Sequence, residues 1–133
     1  MDDKTDSLVQ AYGTRDPFEL VEKLDVFLDY EPLGNSVNGF YYAKDDIKLI
    51  VLNSQTPRHI QRFTCCHELA HHILHTNTNA LLLSVQNRQE YEADKFAMYL
   101  LLPEEDLKEY PERTIDDWAS ILGLPRETVA LRF

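Results

Sequence analysis

His67-Glu68-Leu69-Ala70-His71 reads H-E-x-x-H and lies inside a longer apolar run, Phe63 to His75. Ile60, Phe63, His67, Ala70, His71 and Leu74 recur at spacings of three and four, which predicts a helix. Residues four apart stand one above the other on a helix, so His67 and His71 can present two imidazole nitrogens to one metal ion. Glu68 lies about 100° round the helix from His67. It is poorly placed to join them as a ligand, but it can reach a water molecule beside the ion. That is the pattern of a zinc hydrolase helix, with two His ligands and Glu as general base. The competing reading is a core helix with two buried histidines, and the surrounding sequence weighs against it.

Thr56-Pro57 supplies a start for this helix, Thr56 as N-cap and Pro57 at the first position, and it should run to about His75. Apolar residues occur nearly all round it, which predicts the buried centre of the fold. Upstream, Asn38–Ala43 and Ile47–Leu52 flank the turn-like Lys44-Asp45-Asp46 and read as an antiparallel hairpin. Phe40, Tyr41 and Tyr42 read as cross-strand packing rather than a base-stacking platform. Val26, Leu28 and Tyr30 alternate with Phe27, Asp29 and Glu31 and suggest a strand ended by Pro32 and Gly34. Two short helices precede it. One covers about 4–12 and closes at Gly13. The other runs to about Leu24, with Asp16 as cap, Pro17 at its first position, Glu19 completing a capping box, and Phe18, Val21 and Leu24 inward. Downstream, a loop at 76–84 leads to a helix over about Asn87–Leu102, stopped by Pro103. Short helices follow at Glu104–Glu109, Ile115–Leu122 and Arg126–Arg132, with Thr114 and Asp117 as a capping box and Gly123 as a C-cap.

The chain has 133 residues and a net charge of −10. That length suits one domain, 1–133, with 104–133 as a C-terminal helical extension. The acidity argues against a broad electrostatic grip on nucleic acid, so no direct nucleic-acid binding is expected. Cys65 and Cys66 are adjacent and suit a reducing, cytoplasmic setting. Cys66 continues an apolar row with Leu69 and Ile73 and reads as core, not as a thiolate ligand. The N-terminus carries no apolar signal segment, and the longest apolar run, Phe96–Leu102, is too short for a bilayer, so no membrane is expected.

Two His ligands leave a zinc site incomplete. Gln89-Glu90-Tyr91-Glu92-Ala93-Asp94 offers two glutamates, and helix geometry separates them. Glu92 lies between Arg88 and Lys95 in a stripe of offsetting charges. Glu90 shares its face with Ala93, Asp94, Ala97 and Leu101, where small residues let two helices approach, and an acid turned inward there should be paired or metal-bound. We select Glu90 as third ligand. Asp94, one turn on, is placed to accept the spare ring N–H of a ligand histidine. His75 continues the row of His67 and His71, but eight residues give about 12 Å of rise, too far for a shared ion. It reads as an outer, substrate-side or packed residue, and His72 is given no role.

H-E-L-A-H-H-I-L-H at 67–75 and E-Y-E-A-D-K-F-A-M-Y-L-L-L-P at 90–103, with Gly39-Phe40-Tyr41 and Tyr12-Gly13-Thr14-Arg15-Asp16-Pro17, resemble the ImmA/IrrE family of zinc-dependent peptidases. The likeness covers roughly residues 8–103, and the pair of motifs is far more specific than the first alone. It implies a compact α+β fold of the zincin type, a small antiparallel sheet packed against a helical bundle that carries the H-E-x-x-H helix. It also implies zinc, with His67, His71 and Glu90 as ligands and Glu68 as base. Members of that family occur on prophages and mobile elements and relieve repression by cutting a helix-turn-helix repressor. Ala70 stands where Gly is frequent in the family.

The leading expectation is thus a cytoplasmic zinc endopeptidase whose partner is a protein substrate, a helix-turn-helix repressor. The alternative is a non-catalytic, zinc-containing anti-repressor or binding module that inactivates its partner by binding. An intact Glu68 favours catalysis, since a purely structural site does not need it. A DNA-binding regulator is a third possibility. The tail from Trp118 to Phe133 superficially resembles a helix-turn-helix, but its neighbours are acidic, and it reads as packing or partner contact.

Overall fold

The computed structural model, which describes residues 3–75 and 83–133, puts the most apolar strand in the middle of a three-stranded sheet. β1 spans Phe27–Glu31, β2 Gly39–Lys44 and β3 Ile47–Asn53. β2 and β3 form the expected antiparallel hairpin, with Tyr41 opposite Ile50. β1 lies on the far side of β3 and runs parallel to it, with Leu28 opposite Ile50. The fold is α+β as expected, but the sheet is mixed and not antiparallel throughout. The reason is burial: Ile50, Val51 and Leu52 are all buried, and a strand at that depth keeps its backbone paired by holding a neighbour on each edge.

β3 ends in Asn53, which is 1% exposed. Its side-chain amide donates to the carbonyls of Gly34 and Val37, both at 2.8 Å, and its Oδ1 accepts from the N–H of Leu33 at 3.2 Å and of Gln55 at 3.0 Å. One buried side chain therefore gathers the β1–β2 connection against the end of the sheet. β2 then starts at Gly39, hard against the central helix. A Cβ on Gly39 would stand 2.6 Å from the Val51 carbonyl and 2.7 Å from Thr64 Cγ2, so only glycine fits the approach.

Of the first three helices, the second and third pack on that sheet. α1 covers Asp3–Tyr12, α2 Pro17–Lys23 and α3, the motif helix, Arg58–Leu74. Asp16 caps α2 by accepting the Phe18 N–H at 2.9 Å, as expected. The capping box does not follow, because the Asp16 N–H goes to the Thr14 hydroxyl at 3.1 Å and not to Glu19. Inward burial in α2 falls on Leu20 and Val21, with Phe18 and Leu24 half-buried. Thr56 is likewise not the N-cap of α3. Its hydroxyl donates to the Asn53 carbonyl at 2.7 Å, closing the turn after β3, and Pro57 stands in extended conformation as the cap residue.

α4, Leu83–Leu101, crosses α3, and begins about a turn earlier than its periodicity suggests. Of the loop expected at 76–84, residues 76–82 lie outside the described residues, and 83–84 already belong to α4. Cys65, Cys66, Leu69 and Ala70 of α3 pack with Ala93, Phe96, Ala97 and Leu100 of α4 and with Leu20, Ile50 and Leu52 in one core. Both thiols belong to it: burial pushes Cys65 up to about 12 and Cys66 well above the ordinary thiol range, which suits packing and not ligation.

α5, Glu104–Glu109, α6, Ile115–Leu122, and α7, Arg126–Val129, complete the chain, with a 3₁₀ turn at Ala130–Arg132. The Thr114–Asp117 capping box forms in both directions, and Gly123 is the left-handed C-cap at φ 68°. These elements build a second core from Met98, Leu102, Trp118, Leu124 and Val129. The two arginines of the helix-turn-helix-like tail are both engaged within the protein. Arg126 pairs with Asp116 at 2.8 Å, and Arg132, a buried residue, donates to the Leu102 carbonyl at 2.7 Å. Among the described residues, no helix is long and apolar enough to cross a membrane.

Candidate metal centre

α3 and α4 cross so that one face of each meets the other beside the start of β2. Ala93 and Ala97, both fully buried, keep the two backbones close. Across that contact, His67 Nε2 lies 2.8 Å from Glu90 Oε2, and His71 Nε2 lies 3.0 Å from Glu90 Oε1. The two Nε2 atoms are 3.2 Å apart. Two nitrogens on a single tetrahedral zinc would be about 3.3 Å apart, given bonds of about 2.0–2.1 Å. The three ligand atoms of His67, His71 and Glu90 all fall within 4.8 Å of one another, a set that could hold a metal ion. The donor chemistry fits too, since two imidazoles and a carboxylate form a common zinc triad.

Behind the triad, His67 Nδ1 meets Asp94 Oδ1 at 2.7 Å. Glu92 lies elsewhere, 3.8 Å from Arg88 and 3.9 Å from His75. Glu90 differs from expectation in one respect: its side chain is 60% exposed, so it reaches the histidines from the rim of the contact and not from its interior.

Electrostatics follow from these contacts. Burial works to lower the His67 pKa, but hydrogen bonds to Asp94 and Glu90 outweigh it and raise the ring to about 10. Burial pushes Glu68 up to about 7, against the pull of His67 and with the help of the Glu90 and Asp94 charges. A divalent cation on the triad would favour the ionised form of Glu68 and the neutral form of His67. Glu90 is lowered, chiefly by its hydrogen bond with His67. His71 is lowered, first by burial and then by His67.

The site opens to solvent on both sides. A cleft of about 360 Å³ is bounded by residues 36–39, His67, Glu68, Glu90 and Asp94. A second hollow of about 410 Å³ shares Gly39, His67, Glu68 and Glu90 and continues past Tyr41 and His75. Two side-chain contacts beside it lie outside the expected ligand set. The Tyr41 hydroxyl meets His72 Nδ1 at 2.8 Å, joining β2 to a histidine given no role above. His75 Nδ1 meets His71 Nδ1 at 2.9 Å. Helical spacing allows the second pair, but nothing in the sequence brings Tyr41 to His72.

The sequence that builds this site is similar to that of known proteins. The "uncharacterized immunity region protein 2" of Bacillus phage phi105 is 35% identical over 133 residues, covering 94% of this chain and 84% of that protein. The model of the peptidase M78 family, described as the IrrE N-terminal-like domain, matches residues 21–133. That span takes in the sheet, both crossing helices and the tail that packs on them, and on it the chain belongs to the IrrE N-terminal-like (M78) peptidase family.

Proposed function

We propose that the chain is a zinc-dependent endopeptidase of the cytoplasm that cuts a helix-turn-helix repressor and so relieves repression of a prophage or mobile element. The observation that carries this reading is the meeting of His67 Nε2, His71 Nε2 and the Glu90 carboxylate beside buried Glu68. His67, His71 and Glu90 would hold the ion, which when bound supplies Lewis acidity toward the scissile carbonyl and toward water. Asp94 accepts the Nδ1–H of His67 and so keeps that ring's Nε2 lone pair toward the other two ligands. Glu68 takes the proton of the attacking water on its carboxylate and returns it to the leaving amine.

Substrate binding follows from the sheet. β2 is an edge strand, and the Asn53 N–H donates to the Asn38 carbonyl at 2.8 Å. Backbone direction alternates along an antiparallel strand, so the N–H and C=O groups of Gly39, Tyr41 and Ala43 face the open edge. An extended peptide added there would run alongside the site. Hollows on both sides of the triad leave room for chain on either side of the cut, as internal cleavage requires. The immunity-region name of the phage relative supports a repressor as the partner.

The test is to incubate the zinc-loaded protein with the product of any neighbouring helix-turn-helix repressor gene and resolve the products. Discrete fragments are expected. A stable complex with the repressor left intact would favour inactivation by binding alone.

A further inference from the structure

The two histidines of the motif are held from behind in different ways. His67 has the Asp94 carboxylate at 2.7 Å, whereas His71 has another imidazole, His75 Nδ1, at 2.9 Å from its own Nδ1. We propose that His75 is a positioning residue that accepts the Nδ1–H of His71, directs its own Nε2–H to Glu92, and thereby fixes the ring that holds the metal. The proposal rests on the ligand reading above and extends it to residues outside the triad.

A proton inventory fixes the direction of the His71–His75 bond. A ring nitrogen that binds a metal carries no proton. If His71 binds through Nε2, its Nδ1 must carry one. The atom 2.9 Å away, His75 Nδ1, must then be the acceptor, which puts the His75 proton on Nε2. That nitrogen faces Glu92 Oε2 at 3.9 Å. The separation is too long for a hydrogen bond but close enough to favour an N–H on that side. The bond between His71 and His75 thus has a single consistent donor and acceptor.

The backbone fixes the geometry. His75 is the C-cap of α3, and its N–H donates to the His71 carbonyl at 2.9 Å. Its side chain is 8% exposed, so solvent has little access to reorient the ring. Glu92 is itself shared with Arg88 at 3.8 Å, which weakens its hold on His75. The His71 arm is therefore softer than the His67 arm, where a carboxylate bonds the ring directly.

Zinc affinity, measured by chelator competition on the full chain, tests this without reference to turnover. His75→Leu should weaken binding by about 10–100-fold, the usual loss when an outer partner is removed. The metal-free protein should melt close to wild type. His75→Asn should recover most of the affinity, because its Oδ1 can accept where Nδ1 did. Wild-type affinity in His75→Leu, or an equal loss in His75→Asn, would overturn the relay. Should His75→Leu not fold, ring-nitrogen NMR of the zinc-loaded wild type decides instead: an Nε2–H tautomer at His75 is expected, and an Nδ1–H tautomer refutes it. His67→Ala is the control for the underlying reading. If it binds zinc normally, the ligand set itself is wrong; if it loses zinc while His75→Leu does not, only the relay fails.

Discussion

At the scale of single residues, Glu68 separates chemistry from binding. It is 8% exposed and sits one position from His67 without belonging to the ligand set. Glu68→Gln keeps size and shape, so zinc content and repressor binding should survive while cleavage falls by on the order of a hundredfold to ten-thousandfold. The variant should act as a trap that pulls down intact repressor. Cleavage near the wild-type rate by zinc-loaded Glu68→Gln would remove Glu68 as base. Glu90 calls for a different measurement. Its carboxylate contacts both histidines, so Glu90→Gln should weaken zinc binding by more than the roughly 100-fold upper bound for an outer partner. Glu92→Gln should lose far less, because glutamine keeps an acceptor toward His75. The reverse ranking in a metal titration would mean that α4 presents its other face.

At the scale of elements, legibility depended on how local the signal is. Helix periodicity is local, and the motif helix, its partner and the tail helices could all be read from spacings of three and four. The place of β1 could not. Its own residues say only that it is a strand; its parallel pairing depends on the 33–38 connection, which Asn53 organises from 15 or more positions away. Two caps failed for a different reason. Thr56 and Glu19 have the right chemistry, but competitors close by in the sequence, the Asn53 carbonyl just before Thr56 and the Thr14 hydroxyl just before Asp16, take up the groups involved. Gly39 could be noticed in the sequence, but not the reason it is glycine. Gly39→Ala should destabilise the protein by about 1–3 kcal/mol, since neither the Val51 carbonyl nor Thr64 can give way without moving β3 or α3. Denaturant unfolding checks this. A midpoint equal to wild type would mean that β2 has slack against α3.

At the scale of the whole molecule, the question is whether the tail and the metal centre form one cooperative unit. α4 joins them. Its Ala93, Phe96, Ala97 and Leu100 belong to the core that carries α3, and its Met98 and Leu102 belong to the core built with the tail. Phe63 and Leu101 pack against both. Arg132 adds a polar tie, donating to the Leu102 carbonyl at 2.7 Å and reaching Glu104 at 3.3 Å. Loosening the tail core should therefore loosen the helix that presents Glu90 and Asp94. The single tryptophan, Trp118, is buried in the tail core, so its fluorescence reports there, while the spectrum of a cobalt-substituted site reports on the histidines. Val129→Ala, at a fully buried position, should cost about 1–3 kcal/mol by leaving a cavity. In that variant both probes should lose signal at one lowered temperature, as a two-state unit requires. If the tryptophan transition moves down by about 5 °C or more and the cobalt transition stays in place, the tail is a separate folding unit and not part of the metal-bearing domain.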